Sequence, residues 1–248
     1  MKVSWVILTY NRAATVKRAV THCMENAGEA WDELVWVDNG STDSVRDFMT
    51  SLKPDVTVLN KENLGVAKGY NRGMALASSD YIVITGCDML MPKNWLTKMK
   101  DGFRKIPKTG IVSIYSAPMN FTPERKRGET QTVNGLEIQP AMPISRRMLS
   151  RELLRRVGYF HEGFGLYGWD DVVWANRAER VCKALGLSCY TYPGEVAEHL
   201  GTEGIVMADG KDEQSYHEFK RAEVFDPEKQ KLLQKLSDQQ WPYFNPWS

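Results

Sequence analysis

Short apolar segments alternate with amphipathic helical stretches through the first half of this chain, and that alternation leaves few folds open. VSWVILT (3–9), ELVWVD (33–38), DVTVLN (55–60), DYIVITG (80–86) and GIVSIYS (110–116) read as strands. Helical patterns lie between them: from Ala13 to about Glu25, from the turn at Ser41-Thr42-Asp43, from about Gly65 to Ala77, and from Pro92 to Arg104. Strands this short and this apolar are covered on both faces, as parallel strands joined by crossover helices are. The pattern therefore predicts an α/β domain with a mainly parallel central sheet. Ligands of such sheets gather at the carboxyl ends of the strands. Three polar clusters fall there: Thr9-Tyr10-Asn11-Arg12, Asp38-Asn39-Gly40-Ser41 and Gly86-Cys87-Asp88.

The second half is less regular. Residues 117–140, rich in Pro, Gly, Thr and charge, read as a long loop carrying a hairpin. Its cluster Arg125-Lys126-Arg127 suits either a solvated face or a phosphate contact. SRRMLSRELLRRVGYF (145–160) reads as a helix with a basic outer face. Further helices are expected from Asp170 to Leu185 and around 227–238, before an aromatic tail, WPYFNPWS, that is expected to pack on the domain. No linker divides the chain convincingly, so one continuous domain is expected.

Several function classes drop out. Thirty-two basic and thirty-one acidic side chains give a net charge of +1 over 248 residues, too little for a global field towards nucleic acid or an anionic membrane. No strand is followed by GxGxxG, and no GxxxxGK[ST] occurs, so neither a dinucleotide site nor a P-loop is expected. The four cysteines (Cys23, Cys87, Cys182, Cys189) lack metal-like spacing and read as reduced core thiols. No window is long enough for a membrane span, which points to the cytosol or the cytosolic face of a membrane.

One residue sharpens the question. In YIVITGCDMLMP (81–92) an apolar run ends on a lone carboxylate, Asp88. Burying an unpaired charge costs several kcal/mol, so it needs a partner. It either turns the chain towards the helix near Pro92 or faces a cation from outside the chain.

At this point a family comes into view. VILTYNRAATVKRAV, VDNGSTDS and NKENLGVAKGYNRGMALASSDYIVITGCDMLMPKNWL resemble the nucleotide-sugar-binding half of the family 2 glycosyltransferases, which have the GT-A fold. VGYFHEGFGLYGWDDVVWANRAERVCKALGL resembles that family's acceptor-side segment. The resemblance runs over roughly residues 3–200 in order, and four weak motifs in sequence are together specific. It implies a nucleotide-sugar-binding half at 1–116, an acceptor-side half with a C-terminal helical tail at 117–248, and a divalent metal, Mn²⁺ or Mg²⁺.

The resemblance also assigns roles. Thr9, Tyr10, Asn11 and Arg12 match the strand end that wraps the base, with Tyr10 able to stack on it. Asp38 matches the aspartate that pairs with uracil or its ribose, with Asn39 beside it. Asp43 is expected only to cap a helix. Asn63, Gly65 and Asn71 match the loop under the diphosphate. Where the family often has an arginine, this chain has Tyr70, leaving Lys68 or Arg72 as substitute cations. Asp88 aligns with the last acid of the Asp-x-Asp motif, and Gly86 takes the place of the first, with Cys87 between them. One carboxylate is enough in principle, because a hard cation can bridge it to two phosphate oxygens. His199 matches a histidine that the family commonly adds to the same metal.

Asp170 and Asp171 match the acidic pair at a helix start. Two like charges there can raise one pKa, as a general base requires, though helix capping would also explain them. Asp171 is expected to be the base and Asp170 to orient the acceptor, with Trp169 packing on a sugar face or in the core. The expected activity is a metal-dependent, inverting, hexosyltransferase-type transfer from a nucleotide sugar, most naturally a UDP-sugar. The acceptor could be a saccharide, a lipid-linked sugar, a protein or a modified nucleobase. Two rivals stand beside it. One is a non-catalytic nucleotide- or sugar-binding protein, favoured by Gly86 and Tyr70. The other is a sugar nucleotidyltransferase, disfavoured because TYNRAAT lacks a glycine-rich basic loop.

Overall fold

All seven residues of Val3–Thr9 (β1) are buried, because the strand is covered on both faces and flanked on both edges. The computed structural model describes residues 1–116, 128–142, 146–200 and 213–238. From β1 the chain runs through α1 (Ala13–Glu25), β2 (Glu33–Asp38), α2 (Val45–Ser51), β3 (Val56–Leu59), α3 (Val66–Leu76) and β4 (Tyr81–Thr85). β5 (Met89–Leu90), α4 (Trp95–Lys105) and β6 (Thr109–Ser116) follow. Beyond the first half come β7 (Gln131–Val133), β8 (Leu136–Pro140), β9 (Arg147–Ser150), α5 (Arg151–Val157), α6 (Asp170–Leu185) and β10 (Ser188–His199). Two helices, α7 (Glu213–Val224) and α8 (Pro227–Asp238), complete the described residues.

The sheet order is β3-β2-β1-β4-β9-β6-β10-β8-β7, with β5 attached to β10. β1 pairs in parallel with β2 and β4, and β2 with β3, as the alternating pattern predicts. Core lies on both faces. Trp5, Trp36, Trp95 and Met99 pack on one side with α1 and α4, and Val6, Leu149, Leu153 and Trp174 on the other. On the second face α3 comes unusually close. A Cβ on Gly69 would stand 2.4 Å from Leu8 Cδ1, and one on Gly73 would stand 2.6 Å from Val6 Cγ1.

The stretch 145–160 is not one helix. Arg147–Ser150 is a strand that runs antiparallel between β4 and β6, and only Arg151–Val157 is helical. Ser150 divides the two, its side chain accepting the Leu153 N–H at 3.1 Å as an N-cap. The expected basic outer face survives only on the helical part, where Arg155 and Arg156 are exposed, whereas Arg147 is 2% exposed. Two apolar residues beside one arginine satisfied a helical period as easily as an interior strand.

The expected hairpin is present as β7 and β8. Its turn residues Asn134 and Gly135 both have positive φ, at 48° and 79°, as a two-residue type I′ turn requires. α6 and α8 have the expected bounds, whereas α7, β5 and β10 had no reading as elements. Residues 117–127, with Arg125-Lys126-Arg127, and the tail WPYFNPWS lie outside the described residues. All four cysteines are free thiols. Among the described residues no helix is long and apolar enough to cross a membrane.

Candidate active site

Asp88 has partners within the chain. Its Oδ2 lies 3.3 Å from Arg12 Nη1 and 3.4 Å from His199 Nε2. Three elements bring them together. Arg12 leaves β1 with left-handed backbone, φ 65°, one residue after Asn11 at φ 50°. Asp88 follows β4 and precedes β5. His199 ends β10, opposite Met89 in the short antiparallel pair with β5, and the Leu200 N–H donates to the Asp88 carbonyl at 2.9 Å. The register of β10 against β6 jumps between Tyr192 and Val196, an irregularity just upstream of that pairing.

Gly86 is required by this packing. A Cβ there would stand 2.8 Å from Asp88 Oδ1 and 3.0 Å from Met89 Cγ. Cys87 is half-buried, and burial, followed by the Asp88 charge, pushes its thiol up to about 12.

Several of the expected nucleotide contacts have their polar atoms engaged within the protein. Thr9 is fully buried; its hydroxyl accepts the Trp36 indole N–H at 2.9 Å and donates to Asp38 Oδ1 at 3.3 Å. Asp38, also fully buried, accepts the Ser41 N–H at 3.0 Å and Arg46 Nε at 2.7 Å. Asn39 donates to Asn63 Oδ1 at 2.8 Å and to the Gly65 carbonyl at 3.1 Å, so it shapes the loop before α3. Asn71 clamps the other half of the chain: it donates to the Phe160 carbonyl at 3.0 Å and Glu162 Oε1 at 2.8 Å, and accepts the Phe160 N–H at 2.9 Å. Gly65, at φ 87°, lies so close to this second half that a Cβ would stand 2.3 Å from the Gly165 carbonyl oxygen. Asp43 caps as expected, accepting the Val45 N–H at 3.1 Å, and it also accepts the Ala13 N–H at 2.8 Å. Tyr10 and Lys68 remain exposed.

Asp170 and Asp171 open α6 in its first turn. Asp170 is 7% exposed; burial, reinforced by the charge of Asp171, raises its carboxyl to about 7. Arg147 works against that rise and also faces Asp171. Burial in turn pulls Arg147 down to about 10, which leaves it charged at neutral pH. Arg146 lies within electrostatic reach of Asp88, Tyr70 and Asp171, so the two successive arginines join the Asp88 cluster to the acidic pair. Sequence reading placed both on a solvent face; a pair of arginines leading an apolar strand was the missed signal. Trp169 donates its indole N–H to the Val224 carbonyl at 3.1 Å and meets Phe225 edge-on, so its ring packs against the end of α7.

Asp88 and His199 also suit a shared divalent cation. Two neighbouring ligands of a six-coordinate ion with bonds near 2.1 Å stand about 3 Å apart, close to the Oδ2–Nε2 separation observed here. Among the described residues no group of three or more His, Cys, Asp and Glu converges, so phosphate and water oxygens would complete the shell.

Known proteins carry the same arrangement of elements. The family model "Glycosyl transferase family 2" matches residues 4–167. An uncharacterized glycosyltransferase from Nostoc sp. is 28% identical over 116 residues, covering 45% of this chain and 36% of that protein. Poly-beta-1,6-N-acetyl-D-glucosamine synthase from Staphylococcus aureus is 24% identical over 114 residues, covering 45% of this chain and 27% of the relative. The chain thus spans about a third of the length of these relatives. Among solved structures, the mannosyltransferase PcManGT from Pyrobaculum calidifontis, in complex with GDP-Man and Mn²⁺, superposes with a TM-score of 0.61 at 22% identity, covering 97% of this chain and 66% of that one. S. aureus TarS 1–349 in complex with UDP-GlcNAc gives 0.56 at 15% identity, covering 91% and 67%. At these identities the likeness to the two structures is one of fold.

Proposed function

Because this chain belongs to glycosyl transferase family 2 and has the GT-A fold, we propose that it moves a sugar from a nucleotide sugar, a UDP-sugar, to an acceptor hydroxyl with inversion. The observation that carries the reading is that Arg146 and Arg147, successive residues at the start of β9, lie within electrostatic reach of two acidic stations. Asp88 with His199 is one, and Asp170 with Asp171 at the head of α6 is the other.

On this reading Asp88 and His199 hold a divalent cation. When bound, that cation neutralises charge on the departing diphosphate. Tyr10 stacks on the base, and the buried network of Thr9, Asp38 and Asn39 keeps its loop in place. Asp171, with Arg147 within electrostatic reach, takes the acceptor hydroxyl proton as the new C–O bond forms at the anomeric carbon and the bond to the diphosphate oxygen breaks. Asp170 retains its own proton near neutral pH and orients the acceptor.

The test is thermal stability and product release with UDP- and GDP-sugars, with Mn²⁺ or a chelator, for wild type and Asp88→Ala. Ligand at about 100 times its dissociation constant adds roughly 2.7 kcal/mol, so binding is readily seen. Metal-dependent stabilisation lost in the variant, together with release of the nucleoside diphosphate, supports the reading. Binding with no release or transfer makes the protein a non-catalytic relative, and the absence of any nucleotide effect overturns the reading.

A further inference from the structure

The motif NLGVAKGYNRG has a tyrosine where the resemblance leads one to expect an arginine, and the structure has other arginines nearby. Tyr70 turns its hydroxyl onto the Thr85 carbonyl at 2.8 Å, at the end of β4. Neither nearby substitute replaces it at that point. Arg72 donates to Asn60 Oδ1, beside the β2–β3 edge, and Lys68 is exposed. Arg146 comes instead from across the sheet. It precedes β9 with left-handed backbone, φ 47°, and its Nη1 lies 3.5 Å from Met89 Sδ, next to Asp88. Its neighbour Arg147 projects to the opposite face, against Phe160 and Trp174, as successive strand residues do.

Asp88 is therefore faced by three basic side chains: Arg12, Arg146 and His199. Two guanidinium groups beside one carboxylate suit a phosphate anion, and a guanidinium fork matches phosphate oxygens in pairs. Arg146 is within electrostatic reach of both Asp88 and Asp171, and its Nη1 lies beside Met89, the residue after Asp88. We propose that Arg146 is the diphosphate-binding arginine of this site, supplying from the strand side the cation that position 70 lacks. The proposal rests on the donor reading above and adds to it the residue that recognises the diphosphate.

The test compares UDP with uridine, and GDP with guanosine, by calorimetry in chelator-containing buffer, so that no metal contributes. Wild type should bind the diphosphate at least tenfold more tightly than the matching nucleoside. Arg146→Gln should remove most of that gap and leave nucleoside affinity unchanged, and Arg146→Lys should retain part of it. Thermal melts check that each variant is folded. If Arg146→Gln does not fold, Arg146→Lys decides the matter, because an unchanged gap in that variant argues against a paired guanidinium contact. A gap that persists in Arg146→Gln, or no gap in wild type that still binds nucleoside, overturns the proposal and leaves the donor reading standing. If wild type binds neither nucleoside nor diphosphate, even with Mn²⁺ restored, both fall.

Discussion

The guanidinium carbon of Arg147 lies 4.1 Å from the centroid of the Trp174 ring, and both side chains are buried. Trp174 follows Asp170 by four residues on α6, so one face of the helix carries both the acid and the aromatic plane that seats its counter-charge. The indole N–H donates to the Gly158 carbonyl at 2.8 Å, fixing the ring and with it the arginine. The acidic pair is thus held over a cation that cannot swing away.

Replacing Arg147 with methionine keeps much of the volume and removes the charge. Asp171 then loses a stabilising cation, so its proton affinity rises. Transfer should fall on the order of 10²-fold at pH 7, recovering partly at higher pH, while UDP binding stays within a few-fold. Steady-state kinetics across pH with parallel calorimetry would check this; loss of UDP binding to the same extent would assign Arg147 to the donor instead.

Asp170 ties stability to pH. Its folded carboxyl titrates near 7, above its unfolded value of 3.8, so its contribution is fully present below about pH 4 and is lost as pH rises through 7. Asp170→Asn should therefore stabilise the fold above pH 7, by an amount on the order of 2–4 kcal/mol, and change little at pH 4. Urea titrations at the two pH values decide; equal shifts at both would show that Asp170 does not keep its proton.

Asp171→Asn should leave donor binding intact and cut transfer by about 10²–10⁴-fold. If the larger loss falls on Asp170→Asn, the roles of the two acids are exchanged.

Gly86→Asp writes the family's first acid back into the chain, yet it should weaken metal-dependent nucleotide binding. The new Cβ falls 2.8 Å from Asp88 Oδ1, so Asp88 must move off His199. The Mn²⁺-dependent part of the thermal shift with UDP reads this directly, and an increase would mean that the loop yields instead.

Gly73→Ala tests the close seat of α3 on the sheet. The added methyl meets Val6 Cγ1 at 2.6 Å and Val37 Cγ2 at 3.0 Å, an overpacking worth about 1–3 kcal/mol, measurable as a shift in the urea midpoint. On an exposed helix face the same change would stabilise.

The alternating first half was legible because its strands are short, apolar and, apart from the edge strand β3, largely buried, and α6 and α8 were legible from their periodicity. β9 was not, because a strand of four residues that begins with an arginine carries no period of its own. The roles at the site divide in a similar way. Strand-end position pointed to Thr9, Asp38 and Asn39, and the family resemblance to Asn71, but only coordinates reveal that their polar atoms are engaged by the protein itself. Arg146 and Arg147 were hidden because arginines are ordinarily read as surface, and their place depends on Phe160, Trp174 and Met89, which are distant in sequence.

β9 has one more consequence. It lies between β4 and β6 and is made about thirty residues after β6 ends, so β4 and β6 have no direct pairing with each other. A chain emerging from the ribosome can zip β1 to β4 early, but the middle of its sheet must wait, edges bare, until residue 150 has cleared the exit. Anything that delays translation between 116 and 147 would lengthen that wait and raise the risk of aggregation, without altering a single side chain of the finished protein.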